Sequence, residues 1–255
     1  MGILEDQKDE IISLYKKYNS IRDISSILSC SFSGVKRILH KYNVKMRNKC
    51  ESLNLCPSEF NKNEYEFVLG TILGDGHITK KRGKNGESQL YIGHSIKQKG
   101  YIQYKYSLLY RFIGCKIYPL KHTLENNKTY LTLNFVTRKS GLFTKLREQF
   151  YSNKKKIIPF DILGKDFTLF SLAIFYMDDG YNCPNRGCEI NTQSFSKNEN
   201  ELFSLLLKDK FNINSHLVKV KGGSGWKIYI NKKDKIYFFN LIKPYIVEDM
   251  RYKII

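Results

Sequence analysis

The sequence predicts an α+β fold behind a small all-α segment, and three observations lead to that prediction. Residues 6–44 repeat their apolar positions at helical spacing. From residue 63 onward, helical stretches alternate with stretches in which polar and apolar residues alternate, as they do in strands. One order of helices and strands also occurs twice in this part, which indicates two related halves in one polypeptide.

The composition indicates a folded and strongly basic protein. Its 255 residues include 43 Lys and Arg against 24 Asp and Glu, a net charge of +19, and 42% are hydrophobic, which excludes a disordered basic tail. The chain has no apolar run long enough to span a membrane and does not begin like a secretion signal, so we expect an intracellular protein with no membrane partner. Six scattered cysteines without a Cys-x-x-Cys pair disfavour a zinc site. A polyanion is the natural partner of such a protein.

The segment 6–44 predicts three short helices. Apolar residues from Ile11 to Tyr15 form the stripe of the first, Ser20 can cap the second, and a tight turn at 29–31 precedes the third. The segment resembles a helix-turn-helix of the resolvase or recombinase kind, whose last helix enters a major groove. An ordinary three-helix cap with solvated lysines is the alternative. From the resemblance we expect a DNA-binding domain at 1–46, in which Ser33, Lys36 and Arg37 on the outer face of the third helix contact DNA. A polar linker is expected at 47–62.

The rest of the chain predicts alternating helices and strands. The strand-like stretches alternate basic and apolar residues, as in 116–121 and 227–232. This alternation would place the basic side chains on one face of a sheet. A basic sheet face suits the phosphate backbone of a nucleic acid. Helices are predicted at 64–74, 97–113, 140–151, 166–178, 197–210 and 232–243, and strands near 88–95, 116–122, 129–136, 187–194, 216–221 and 226–231.

An internal repeat gives the most specific signal. Residues 67–76 and 170–180 are both apolar helical runs, and they end in the Asp-Gly pairs that contain Asp75 and Asp179. Each run is followed by a strand with a polar pair, by an aromatic-rich helix, and later by a basic residue. The polar pairs contain His94 and Gln193, and the basic residues are Lys156 and Lys253.

The paired runs predict a cation site between two helices. Gly70 and Gly74 lie on one helix face, and Ala173 gives the second run a similarly small surface, so the two backbones can approach closely. The helices would then end side by side, with Asp75 and Asp179 in one cleft. Two carboxylates at helix C-termini repel each other and oppose the helix dipoles, and a hard divalent cation relieves both effects. The alternative is that each Asp-Gly pair is only a turn after a core helix.

These segments resemble the two motifs of LAGLIDADG homing endonucleases, in the form in which one chain carries both copies. The resemblance covers about residues 64–255. It implies two αββαββα half-domains, at 63–160 and 161–255, related by a pseudo-twofold axis and carrying saddle-shaped antiparallel sheets over a long DNA site. The segments that carry the resemblance are 69–76, 175–180, 190–195, 240–245 and 250–253.

The resemblance also implies roles for individual residues. Asp75 and Asp179 would bind Mg²⁺, for which Mn²⁺ would substitute, and Lys156 and Lys253 would lie beside the scissile phosphates. His94 and Gln193 would be polar groups of the cleft, although His94 departs from the amide more often found at its position. The DNA-contacting residues expected on the sheet faces are Arg82, Lys84, Lys116, Lys121, Lys128, Arg186, Lys219, Lys221 and Lys227.

The expected function is that of a site-specific endonuclease. It would act as a monomer and hydrolyse both strands of a long, asymmetric double-stranded DNA target, in an organelle matrix or a bacterial cytoplasm. Two alternatives remain open at this point. One is a maturase that binds its host intron RNA on the same scaffold, and the other is a transcription regulator that reads DNA through the helix-turn-helix.

Overall fold

Short helices make up the first of two compact units. The computed structural model describes residues 3–16, 19–46, 57–80, 86–124 and 127–255, and the chain divides at Pro57 and Ser58. The described helices of the first unit are α1 (Ile3–Asp6), α2 (Lys8–Lys16), α3 (Ile21–Ile27) and α4 (Phe32–Lys41).

Apolar side chains from α2, α3 and α4 form the core of the first unit. Ile11, Ile24 and Leu39 are fully buried in it. Ser20 caps α3 in a capping box, as the sequence predicts, because its hydroxyl accepts from the Asp23 amide while the Asp23 carboxylate accepts from the Ser20 amide. The prediction of three helices was incomplete, since the single turn α1 precedes the first of them.

The second unit contains the same αββαββα order twice, which confirms the predicted α+β fold class. The first copy is α5 (Lys62–Leu73), β1 (His77–Ile78), β2 (Leu90–Ser95), α6 (Lys99–Leu108), β3 (Tyr118–Thr123), β4 (Thr129–Val136) and α7 (Gly141–Phe150). A hairpin of β5 (Tyr151–Ser152) and β6 (Lys155–Lys156) and helix α8 (Phe160–Asp166) follow. The second copy is α9 (Leu169–Asp179), β7 (Gly180–Asn182), β8 (Cys188–Ile190), α10 (Lys197–Phe211), β9 (His216–Lys219), β10 (Trp226–Ile230) and α11 (Lys232–Ile242).

Each half contributes one four-stranded antiparallel sheet. The strand orders are β1-β2-β4-β3 and β7-β8-β10-β9, so the two sheets share one topology. In β10 buried apolar residues alternate with more exposed ones as predicted, and Ile228 and Ile230 are the buried ones. The alternation expected around Lys121 was wrong, because β3 is an edge strand that exposes 119–121 in succession. In the described residues, the helices are all too short or too polar to cross a bilayer.

Several predicted boundaries were wrong for local reasons. The helix predicted at 166–178 is α9, which begins only at Leu169, because the Thr168 hydroxyl accepts from the Ser171 amide and caps it. The strand predicted at 187–194 ends at Ile190, which leaves Gln193 in a turn. The helix predicted at 97–113 starts and finishes in 3₁₀ turns around α6. The short strands β1, β5, β6 and β7 and the helix α8 were missed.

Helices α5 and α9 lie backbone against backbone. A Cβ atom at Gly70 would overlap the carbonyl oxygen of Ser171 and lie 2.9 Å from the Cβ of Ile174. The Ser171 hydroxyl donates to the carbonyl oxygen of Glu66 at 2.8 Å, so a hydrogen bond also joins the two helices. The small helix face predicted from the sequence therefore sets the spacing between the halves.

This spacing predicts the effect of one added methyl group. Gly70→Ala should destabilise the second unit by about 1–3 kcal/mol, because its methyl group has no space between α5 and α9. Urea unfolding followed by the fluorescence of Trp226, the single tryptophan, measures the change. The control is Gly164→Ala in α8, where no atom lies within 4 Å of an added Cβ. That variant should be stabilised by about 0.5–1 kcal/mol, and equal effects in both variants would contradict the close approach.

Candidate active site

The ends of α5 and α9 meet at one seam. Asp75 lies just beyond the end of α5, and its backbone amide donates to Oδ2 of Asp178 at 3.2 Å. Asp179 is the last residue of α9. The Asp75 side chain is 43% exposed, so its carboxylate is accessible at the seam. We call the cluster formed by these three aspartates the acidic seam.

The acidic seam crowds negative charge. Partial burial raises the pKa of Asp75 above its ordinary value, and the charge of Asp178 acts in the same direction. Burial raises the pKa of Asp179 to about 7, with further contributions from the charges of Asp75 and Asp178. Nearby lysines lower both pKa values without cancelling the shift. A bound cation would relieve this repulsion.

A lysine cap lies at the end of each of the two helices. The Lys156 ammonium donates to the carbonyl oxygens of Gly74 at 2.7 Å and Gly76 at 3.2 Å. The Lys253 ammonium donates to the carbonyl oxygens of Met177 at 2.6 Å and Asp178 at 2.9 Å. Both ammonium groups therefore face the negative end of a helix dipole. Each half thus places one ammonium group at the helix end that carries its aspartate.

These lysines are held in partly desolvated positions. Burial lowers the pKa of Lys156, although the charges of Asp179, Asp178 and Asp75 act against it. Burial likewise lowers the pKa of Lys253 against the same three charges. Desolvated ammonium groups interact more strongly with a nearby anion than solvated ones do.

Asp178 is a buried carboxylate with its own counter-ion. Its side chain is 0% exposed, and it accepts from the Lys105 ammonium at 2.7 and 2.8 Å and from the Tyr101 hydroxyl at 2.7 Å. The Thr71 hydroxyl donates to it at 3.3 Å. Burial works to raise the pKa of Asp178, but the charge of Lys105 and the hydrogen bonds from Lys105 and Tyr101 outweigh it and hold the pKa below its usual value. Its donors occupy both oxygens, which leaves Asp178 poorly placed to bind a metal.

The two polar groups predicted for the cleft have different surroundings. His94 is only 4% exposed, and its Nδ1 lies 3.5 Å from Oδ2 of Asp75. Burial, with the charge of Lys105, lowers the pKa of His94 to about 3, so the imidazole is neutral at neutral pH. Gln193 is exposed in a turn. The two halves therefore share acids and lysines but differ in this third position.

The donor set of the seam fits a divalent cation. Donor atoms of Asp75 and His94 lie within 4.8 Å of each other and of an Asp178 oxygen, although the Asp178 carboxylate is already occupied by its own donors. Asp75 and Asp179 have carboxylates that no described ion pair with a lysine occupies, and such oxygens suit hard cations. The residues at the seam therefore fit a site for a divalent metal, and Asp75 and Asp179 are the groups free to hold it.

Most of the basic residues predicted to contact DNA are exposed. Lys227 is the exception among those described, because its ammonium forms an ion pair with Glu189 on the neighbouring strand. Arg82 and Lys84 lie outside the described residues. The exposed ones are Lys116, Lys121, Lys128, Arg186, Lys219 and Lys221 in the second unit, and Ser33, Lys36 and Arg37 on α4 in the first.

The model of the LAGLIDADG DNA endonuclease family matches residues 65–238 of this chain. The chain belongs to this family. The match spans the αββαββα repeat and both aspartates of the LAGLIDADG helices, Asp75 and Asp179. It lies wholly within the second unit, so the helices of the first unit are an addition to the family domain.

Individual proteins are similar to this chain over more of its length than the family model is. A probable intron-encoded endonuclease 1 of Wickerhamomyces canadensis is 34% identical over 203 residues, covering 76% of this chain and 84% of the relative. The cytochrome b mRNA maturase bI2 of Saccharomyces cerevisiae is 28% identical over 241 residues, covering 90% of this chain and 56% of the maturase. The structure of the homing endonuclease I-WcaI bound to its DNA recognition sequence superposes with a TM-score of 0.74 at 28% identity, covering 84% of this chain and 97% of that one.

Sequence reasoning missed the partners of Asp178. Lys105 occupies the buried face of α6, between aromatic residues, and is 0% exposed. A lysine on an otherwise apolar helix face is a weak signal of a buried ion pair, and the sequence does not indicate its acid. The sequence does not single out Tyr101 or Thr71 as partners of Asp178, because either residue is common in an ordinary protein core.

The buried pair predicts a large and specific stability effect. Lys105→Met should destabilise the second unit by about 3–5 kcal/mol, because it leaves the Asp178 carboxylate buried without a counter-ion. The double variant Lys105→Met/Asp178→Asn should recover most of the loss. Urea unfolding followed by Trp226 fluorescence measures both. The exposed Lys145→Met on α7 should change stability by less than about 0.5 kcal/mol. A double variant no more stable than the single one would contradict the pairing.

Proposed function

We propose that this protein is a site-specific endonuclease that cuts both strands of a double-stranded DNA target. The observation that carries the proposal is a duplicated arrangement at one seam. The Lys156 ammonium caps α5 and the Lys253 ammonium caps α9, and the charges of both act on the carboxylates of Asp75 and Asp179. Two related sites suit two antiparallel strands. Because both sites lie on one chain, a monomer suffices.

The residues of the seam divide the chemistry between them. Asp75 and Asp179 would hold divalent cations, for which we propose Mg²⁺ with Mn²⁺ as a substitute. Such an ion lowers the pKa of bound water and polarises phosphate oxygens. Lys156 and Lys253 would neutralise the charge that develops on each scissile phosphate, from positions that the helix ends fix in advance. His94 and Gln193 would line the cleft beside the two phosphates.

The basic surface would hold the rest of the target. The exposed lysines and arginines of the two sheets would contact phosphates and base edges along a long, asymmetric site. Ser33, Lys36 and Arg37 on α4 would extend the contact into a further major groove. I-WcaI, a similar protein, is bound to its DNA recognition sequence, which supports the DNA partner. The protein would act where its DNA lies, in an organelle matrix or a bacterial cytoplasm.

An RNA maturase is the second candidate. One observation favours it: relatives in Saccharomyces cerevisiae and Debaryomyces hansenii, which are 28% and 29% identical to this chain, are named cytochrome b mRNA maturases. An in vitro splicing assay of the host intron, with and without the protein, tests this activity separately from cleavage. A pure transcription regulator is disfavoured, because its second unit would have no need of the duplicated acids and lysines.

The endonuclease proposal predicts the result of removing either acid. Asp75→Asn or Asp179→Asn should lower cleavage of the double strand by a factor on the order of 100 or more, because each amide removes a charged oxygen ligand. Binding of the same DNA should persist, as measured by gel shift in Ca²⁺. Lys145→Met serves as the control and should cleave normally. Unchanged Mg²⁺-dependent cleavage in both Asp variants would refute the site.

The role proposed for α4 predicts a change in salt dependence. Lys36→Gln/Arg37→Gln should weaken DNA binding and reduce the slope of log K against log salt concentration by about 2, because two phosphate contacts are lost. Fluorescence anisotropy at several salt concentrations measures the slope. Lys16→Gln, which removes one exposed charge from α2, should leave it nearly unchanged. Equal slopes for the α4 variant and the wild type would place α4 outside the DNA interface.

A further inference from the structure

His94 is held rigidly beneath the acidic seam. It belongs to β2, where its backbone pairs with Leu133 of β4. Its ring packs against Tyr101 of α6 with a centroid separation of 4.8 Å. A buried imidazole that packs against a neighbouring ring is confined to a small volume, so the directions of its two nitrogens are informative.

The two ring nitrogens face two different carboxylates. Nδ1 lies 3.5 Å from Oδ2 of Asp75 at the accessible side of the seam. Nε2 lies 3.9 Å from Oδ1 of Asp178 on the buried side and has no hydrogen-bond partner. A buried polar atom without a partner is costly, and such atoms in folded proteins call for an explanation.

We propose that His94 is a metal ligand that binds through Nδ1 to the ion held by Asp75, with Asp178 as the carboxylate that orients the ring through Nε2. The inference rests on the proposed function for the presence of the ion. It assigns to Asp178 a positioning role, which agrees with the four donors that already fix its oxygens.

The geometry agrees with this arrangement. Two donor atoms on one ion with bonds of about 2.1 Å lie about 3 Å apart, close to the separation of the Nδ1 and Oδ2 atoms. A histidine bound to a metal almost always donates its other N–H to a carboxylate or carbonyl oxygen, which fixes the tautomer. A hydrogen bond from Nε2 to Oδ1 of Asp178 requires their 3.9 Å separation to shorten by about 1 Å. The imidazole would make this movement, because Lys105 and Tyr101 hold the carboxylate in place.

The inference makes the two half-sites chemically different. The half-site of Asp75 would combine nitrogen with oxygen donors, whereas the residue at the corresponding position of the second repeat is the exposed Gln193, an amide. Imidazole ligands favour transition metals over Mg²⁺, which prefers oxygen alone. The half-site of Asp75 should therefore bind Mn²⁺ more tightly, relative to Mg²⁺, than the other half-site does.

The test is the electron spin echo envelope modulation of Mn²⁺ bound to the full chain without DNA. The wild type should show the modulation of a directly bound ¹⁴N nucleus, and labelling only histidine with ¹⁵N should change it. His94→Gln, which copies the residue of the other half, should lose that signal and bind Mn²⁺ about tenfold more weakly. Its Mg²⁺ affinity should stay nearly constant. The ¹⁵N experiment needs no variant, so a folding defect in His94→Gln does not prevent the test.

His77→Gln is the matched control, because His77 is exposed and lies two residues from Asp75. It should keep the nitrogen signal. Bound Mn²⁺ without nitrogen coupling in the wild type, or coupling that disappears only in His77→Gln, would overturn the inference. DNA cleavage by the same preparations reports on the proposed function separately, so cleavage by a protein without nitrogen coupling would refute the role of His94 alone.

Discussion

The close approach of α5 and α9 is the constraint on which the rest of the second unit depends. Gly70 allows it, since any larger residue there would overlap the backbone of α9. The same contact brings the ends of the two helices together, and the carboxylates that follow those ends become neighbours. Repulsion among these carboxylates is therefore a consequence of the packing, and the lysines around the acidic seam partly offset it.

Three lysines balance the three aspartates in different ways. Lys105 neutralises Asp178 inside the protein, which turns that acid into a fixed structural group. Lys156 and Lys253 instead bind backbone carbonyls, so their charge lies near Asp75 and Asp179 without forming an ion pair with them. This division leaves two acids able to accept a metal and two ammonium groups able to face phosphates. A seam in which each acid had its own lysine would be more stable but less able to bind a cation.

The sequence predicted much of this because the chain repeats itself. The second copy of the repeat made it possible to predict the αββαββα order, the two aspartates and the two lysines. A chance pattern would not recur in the same order. Strands of two or three residues, such as β1 and β7, carry too little alternation to be recognised. The break before α9 could have been predicted, because Thr168 precedes an apolar run as N-caps do. The partnership of Lys105 with Asp178 depends on which helix faces which, and the spacing of residues does not indicate it.

The proposed endonuclease requires that Asp75 and Asp179 share a metal-binding seam beside the DNA backbone. A crystal structure of the protein with a cleavable duplex and Mn²⁺ tests it most directly, because the anomalous scattering of manganese locates the ions independently. We expect anomalous peaks bound to the Asp75 and Asp179 carboxylates and next to one phosphate of each strand. Peaks elsewhere on the protein, with DNA bound away from the seam, would contradict the account.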